Sequence, residues 1–264
     1  MNFQPVLPFS GLSGWSFLER TRESQQEAFN SSSAIHRDTD YFRENIADVK
    51  TAKDLVADRR LLSVALGAFG LGDDIGNKFF IQKILEDGTL ETSALANRLS
   101  DKRYLELSKA FGFGDFGIAN TQLSDFPEKI ITSFRDREFE VAVGDQDENM
   151  RLALGVERGV ENILNKGTTD DGYWFNVMGN PPLRRVFETA LGLPASIASV
   201  DLDQQLKAFR VGAERVFGGS EVSQFSDIET QEKLVRLFLI RSDSSLNASL
   251  TSPGAVALSL LQGV

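Results

Sequence analysis

Few residues in this chain could do chemistry, and their spacing decides most of what they can do. Gly112-Phe113-Gly114-Asp115-Phe116-Gly117 fits the pattern G-x-G-x-x-G. A dinucleotide fingerprint needs a strand before the first glycine and a helix after the last, so that a helix N-terminus meets the pyrophosphate. Here an amphipathic helical pattern over residues 104–111 runs into the first glycine instead, and the motif reads as a helix end. Asp145-Gln146-Asp147-Glu148-Asn149 opens like a calcium loop, with oxygens at positions 1, 3 and 5. Met150 then stands at position 6, where the turn requires glycine, and Val156 at position 12, where a bidentate glutamate is required. An acidic helix start, favoured by the helix dipole, is the simpler reading. Asp73-Asp74 and Asp170-Asp171 also adjoin helix starts and read as caps, although paired carboxylates are equally the groups of glycoside hydrolysis.

Composition removes other chemistries. The chain has 264 residues and no cysteine, so it has no disulfide, no thiol nucleophile and no thiolate ligand for zinc or an iron–sulfur cluster. Its one histidine, His36, lies between Ile35 and Arg37 in a polar stretch, which predicts a solvated side chain rather than a ligand or relay. Arg59-Arg60 and Arg184-Arg185 each open a helical pattern, where long basic side chains lie over their neighbours. The net charge of −10 repels phosphate backbones, so nucleic acid is not an expected partner. No catalytic, cofactor-binding or metal-ligating residue is assigned, and no cofactor is expected.

The elements around these residues are helical throughout. Phe42, Ile46 and Val49 are spaced i, i+4, i+7; Leu55, Leu62, Leu66 and Phe69 continue such a face up to Gly70 and Gly72. Further helices are predicted over 13–30, 79–88, 104–112, 172–178, 183–191, 203–217, 227–240 and 254–261. A long helical stretch over 127–167 is broken near Gly144. The 20 phenylalanines at helical spacing are expected in the core first. Period-2 alternation is scarce, so the expected class is all-α: stacked helical hairpins with long central helices. Three segments share one shape, a polar or Pro-containing start, an apolar helix, then Gly and an apolar residue. They run over 57–73, 100–115 and 180–194, and in the first and third Leu61/Leu183, Val64/Val186, Gly70/Gly192 and Leu71/Leu193 share one spacing. An internal duplication and convergent capping both account for this. Either way Gly70 or Gly72, Gly112 or Gly114, and Gly192 are the expected left-handed caps.

The expected organisation is a polar N-terminal arm (1–40), a first helical unit (41–120), connecting helices (121–167) and a second unit with a tail helix (168–264). The first residues lack a secretory signal, and the longest mostly apolar run, 61–71, is about half the ~20 residues of a spanning helix. A cytoplasmic protein without membrane insertion is expected, or one exported by a flagellar-type route without a cleaved signal. Both ends are Ser/Asn-rich with spaced apolar residues, a pattern shared by ends that fray or pack within their own chain and by exported axial proteins whose ends pair on assembly.

Asp58-Arg59-Arg60-Leu61-Leu62 leading to Ala68-Phe69-Gly70-Leu71, with Lys78–Glu86 and Leu95–Tyr104, resembles the bacterial domain of unknown function 1217 family. Phe139-Glu140-Val141-Ala142-Val143-Gly144, Trp174-Phe175-Asn176-Val177-Met178-Gly179 and Leu191-Gly192-Leu193-Pro194 extend the resemblance. It implies a helical fold and a flagellar context, since some members are encoded near flagellar genes, and it supplies no catalytic residues. The expected function is a non-enzymatic helical interaction or assembly protein with protein partners, flagellar ones among them. The alternative is a hydrolase using a carboxylate cluster, with or without a divalent metal.

Overall fold

A computed structural model describes residues 3–250 of the chain. Among the described residues every regular element is a helix or a 3-10 turn and none is a strand, so the protein is all-α. The chain forms two compact units, one of residues 1–6 and 18–146, the other of 7–17 and 147–264. Helix α1 (Gly11–Asn30) gives its first residues to the second unit and the rest to the first.

In the first unit follow α2 (Ser33–Asn45), α3 (Ala52–Ala57), α4 (Arg59–Ala68), α5 (Lys78–Asp87), α6 (Leu95–Arg98), α7 (Arg103–Phe111) and α8 (Phe126–Gly144). The expected polar arm is thus largely helical, with Leu18, Phe29 and Ile35 buried. Helix α4 is the hub: it packs on α8, α2 and α3 with Leu61, Leu62, Val64, Ala65 and Leu66 buried. The glycine at 67 lets α8 close in, since a Cβ there would lie 2.8 Å from the Phe134 ring. The continuous helical face expected across residues 55–69 is interrupted at Asp58. Its carboxylate caps α4 by accepting from Arg60 and Leu61 N–H (2.8 and 3.1 Å). Leu55 and Leu62 lie two turns apart, so a break and restart between them leaves the apolar spacing unchanged.

The second unit holds α9 (Glu148–Leu154), α10 (Val156–Leu164), α11 (Asp170–Met178), α12 (Pro181–Leu191), α13 (Leu202–Phe217) and α14 (Ile228–Leu250). The expected 127–167 stretch therefore breaks twice, after Gly144 and at Gly155. Helix α12 packs on α14, α13, α11 and α9. Around it Trp174, Phe187, Phe209 and Phe225 form a buried aromatic cluster: Trp174 on Phe187 (centroids 5.6 Å apart) and Phe187 on Phe225 (4.9 Å) are edge-to-face, and Phe209 is tilted against Trp174. The indole N–H of Trp174 donates to Ser220 O at 2.9 Å, so the ring is buried without an orphaned donor. The tail helix expected over 254–261 lies outside the described residues.

The order helix, glycine, 3-10 turn, helix occurs after both α4 and α12. The packing differs: α5 rests on α3 and α6, whereas α13 rests on α12 and α11. Shared element order does not establish a duplication.

Candidate functional site

Gly70, Gly112 and Gly192 have φ of +68°, +67° and +67°. After α4, Leu71 N–H donates to Leu66 O and Gly70 N–H to Gly67 O (both 2.9 Å); after α12, Leu193 and Gly192 repeat this with Glu188 and Thr189. These are paired Schellman bonds that satisfy the last carbonyls. After α7 a single bond, Gly112 N–H to Ser108 O at 2.9 Å, makes the simpler left-handed cap. Gly72 opens a 3-10 turn with nothing within 4 Å of a would-be Cβ. Gly114 has another use: its Cα crosses the backbone at Glu86 and Gly88 so closely that any side chain would collide. The G-x-G spacing therefore serves one cap and one backbone crossing, and no strand precedes it.

That crossing builds the most distinctive surface of the first unit. The Asp115 carboxylate reaches the turn after α5 and accepts from Thr89 N–H, Thr89 Oγ1 (2.8 Å) and Leu90 N–H (3.1 Å). Asn120 Nδ2 donates to Ala110 O at 3.0 Å, closing the end of α7, and the buried Thr121 hydroxyl donates to Val49 O at 2.7 Å. Asp115, Asn120 and Thr121 of the 112–123 loop thus turn inward onto backbone. Phe113 packs on Phe111, but Phe116 is 57% exposed and Ile118 69%, beside Leu90 at 71%. Phe79 on α5 is 84% exposed, against the expectation of a core role for phenylalanines at helical spacing.

Asp74, Asp147, Asp170, Asp171, Arg60 and Arg184 are engaged in structural contacts. Asp147 caps α9 through Asn149 and Met150 N–H, and Met150 is fully buried where a calcium loop would need its turn. Asp74 accepts from Asn77 Nδ2 (2.8 Å) and from the Tyr104 hydroxyl (2.6 Å). Burial, and then this bond to a carboxylate, push the Tyr104 phenol up to about 12. Asp170 accepts from Val222 N–H at 3.0 Å and pairs with Arg210, which also holds Asp171. Burial leads the upward shift of its carboxyl. Arg60 lies over the Tyr41 ring, 4.0 Å from its centroid, and Arg184 pairs with Glu188 at 2.7 Å.

A polar cleft of about 470 Å³ in the first unit is lined by Glu23, Gln26, Glu27, Asn30, Ser31, His36 and Arg135. The His36 ring is half exposed, 3.9 Å from Asp40. Gln26 is tied to Asp136, and Arg135 reaches Thr39 Oγ1 at 3.3 Å. No hydrogen bond joins Ser31 to His36, so a hydroxyl activated by a base is not assembled here. Burial raises the carboxyl groups of Glu138, Asp170 and Asp243, and none of the three lines this cleft. No three His, Asp or Glu side chains among the described residues converge in a metal-holding group. No described helix is long and apolar enough to cross a membrane.

Fold and surface together define a helical protein whose polar loop residues brace the backbone while its apolar ones are displayed. The sequence matches the profile of the family described as protein of unknown function DUF1217 over residues 68–234, and the chain belongs to that family. The structure is similar to the crystal structure of protein AGR_C_984 from Agrobacterium tumefaciens, with a TM-score of 0.72 and 27% identity over 91% of this chain and 98% of that one. No curated protein matches.

Proposed function

We infer that the protein is a non-enzymatic helical interaction or assembly protein acting in a flagellar setting. The observation that carries the interaction part is the 112–123 loop, fixed by Asp115, Asn120 and Thr121, which holds Phe116 and Ile118 in solvent beside Leu90. Large apolar side chains grouped on a braced surface mark a contact site, because a fixed display loses little conformational entropy on binding. The flagellar setting rests on the family resemblance. It is compatible with action in the cytoplasm or after export by a flagellar-type route.

The test is a variant carrying Leu90→Ser, Phe116→Ser and Ile118→Ser. Its melting temperature stays within about 2 °C of the parent, as befits exposed positions, while partners cross-linked in its own cells fall at least about fivefold, a loss of roughly 1 kcal/mol. Undiminished cross-linking defeats the interaction reading. Deletion of the gene impairs motility, and the parent gene restores it where the variant does not; normal motility after deletion defeats the flagellar part.

A further inference from the structure

Residues 3–10 form no regular element, yet part of this stretch is held in the first unit by side-chain amides. Gln25, on α1 and itself buried, takes both backbone groups of Val6: Val6 N–H donates to its Oε1 at 2.6 Å, and its Nε2 donates to Val6 O at 3.3 Å. Thr21 Oγ1 accepts a second N–H of the same amide at 2.7 Å, which fixes its orientation. Gln146, just past the end of α8, donates from Nε2 to Pro5 O at 2.6 Å. Pro5 is buried between its exposed neighbours Gln4 and Val6.

This arrangement is a slot for an extended peptide. It reads three backbone groups and one proline ring, and makes no demand on the flanking side chains. An amide that pairs with both the N–H and the C=O of one residue imitates the edge of a sheet, the usual way an extended segment is recognised without sequence. Proline suits the position because its ring is already extended and its missing N–H needs no partner. The segment that fits the slot is carried by every copy of the chain.

We propose that the slot is an exchange site: at high local concentration the Pro5–Val6 segment of one copy occupies the Gln25/Gln146 slot of a second. The same slot bonds form in cis and in trans, so exchange costs none of them, and concentration shifts the balance against the charge repulsion between copies. Closure by a short connection corresponds to an effective concentration on the order of 1 mM. The cis form therefore prevails in dilute solution, and the trans form grows where many copies are gathered. The proposal is independent of the apolar loop around Phe116, because it uses none of those residues.

The absence of cysteine allows a direct test with full-length chains. A chain with Val6→Cys and Asp145→Cys together, the latter exposed and next to Gln146, is treated first with a flexible bis-maleimide; an internal bridge that consumes both thiols shows that the segment sits where these bonds place it. A chain with Val6→Cys alone is then mixed with a chain carrying Asp145→Cys alone, at concentrations approaching about 1 mM. The mixed cross-link is quantified by mass spectrometry against a mixture in which Lys83→Cys, an exposed position, replaces Asp145→Cys. The expected yield is at least about fivefold above that control, and it returns to the control level when Gln25→Ala and Gln146→Ala are added to the Asp145→Cys chain. A double variant that does not close in cis overturns the slot. Closure in cis with a mixed yield no higher than the control overturns the exchange.

Discussion

Tyr104 and Asp115 show how much of the first unit hangs on single polar side chains. The Tyr104 phenol, pushed up to about 12 by burial and by its bond to Asp74, stays neutral in the folded protein at pH values where the unfolded chain, titrating near 10, has ionised. The group's contribution is fully present below pH 10 and is lost as pH rises from there through about 12. Urea midpoints measured across that window should fall for the parent and fall less steeply for Tyr104→Phe, which itself loses about 1 kcal/mol at neutral pH from the missing hydrogen bond. Asp58 works at the other end of the scale. Burial pushes its carboxyl upward, but the Tyr41 hydroxyl and the backbone N–H groups of Leu61 and Arg60 outweigh burial and hold it below the usual range. Its stabilisation is present above the unfolded value and disappears as pH drops through the folded one, so Asp58→Ala should flatten the acid limb of the same curve. Asp115→Ala should cost about 2 kcal/mol, since two N–H groups and a hydroxyl lose their acceptor, and should speed proteolysis within residues 112–123. Asp115→Asn, which keeps one acceptor oxygen, should cost less by both readouts.

Helix ends separate what could be read from spacing from what could not. Gly70 and Gly72 look interchangeable as caps after α4, yet only Gly70 has positive φ. Gly70→Ala should therefore cost about 1 kcal/mol from backbone strain alone, since its nearest would-be neighbour is 3.5 Å away, while Gly72→Ala should be close to neutral. Equal melting shifts for the two would contradict the cap geometry. The helices were legible because apolar residues recur at the helical period and the chain punctuates them with Gly and Asp. The break at Asp58 was hidden because one and the same periodicity runs through it. The packing of Gly114 on Gly88 and the bonds from Asp115 to Thr89 and Leu90 were illegible for a different reason. They join positions about 25 apart, and nothing local in Gly-x-Gly-Asp says which turn its carboxylate will reach. The same holds for Gln25 and Gln146, two ordinary polar residues until the fold sets them beside Pro5 and Val6.

At the scale of the whole molecule, charge governs how copies meet. The chain carries a net charge of −10 with a pI near 4.8, so neutral solution keeps copies apart by mutual repulsion. Raising ionic strength from about 10 mM to about 150 mM shortens the screening length roughly from 30 to 8 Å. Static light scattering should then show a second virial coefficient falling with salt, and falling again as pH approaches 4.8. A coefficient that rises with salt would mean that local charge pattern, not net charge, sets self-association. The inverted loop has a consequence for how such a protein changes over generations. In residues 112–123 the letters that hold the scaffold, Asp115, Asn120 and Thr121, are separate from those that meet the outside, Phe116 and Ile118. Substitutions at the outward letters cost the fold little, so selection on stability hardly touches them. A lineage built on this scaffold is free to rewrite its outer face without relearning how to fold.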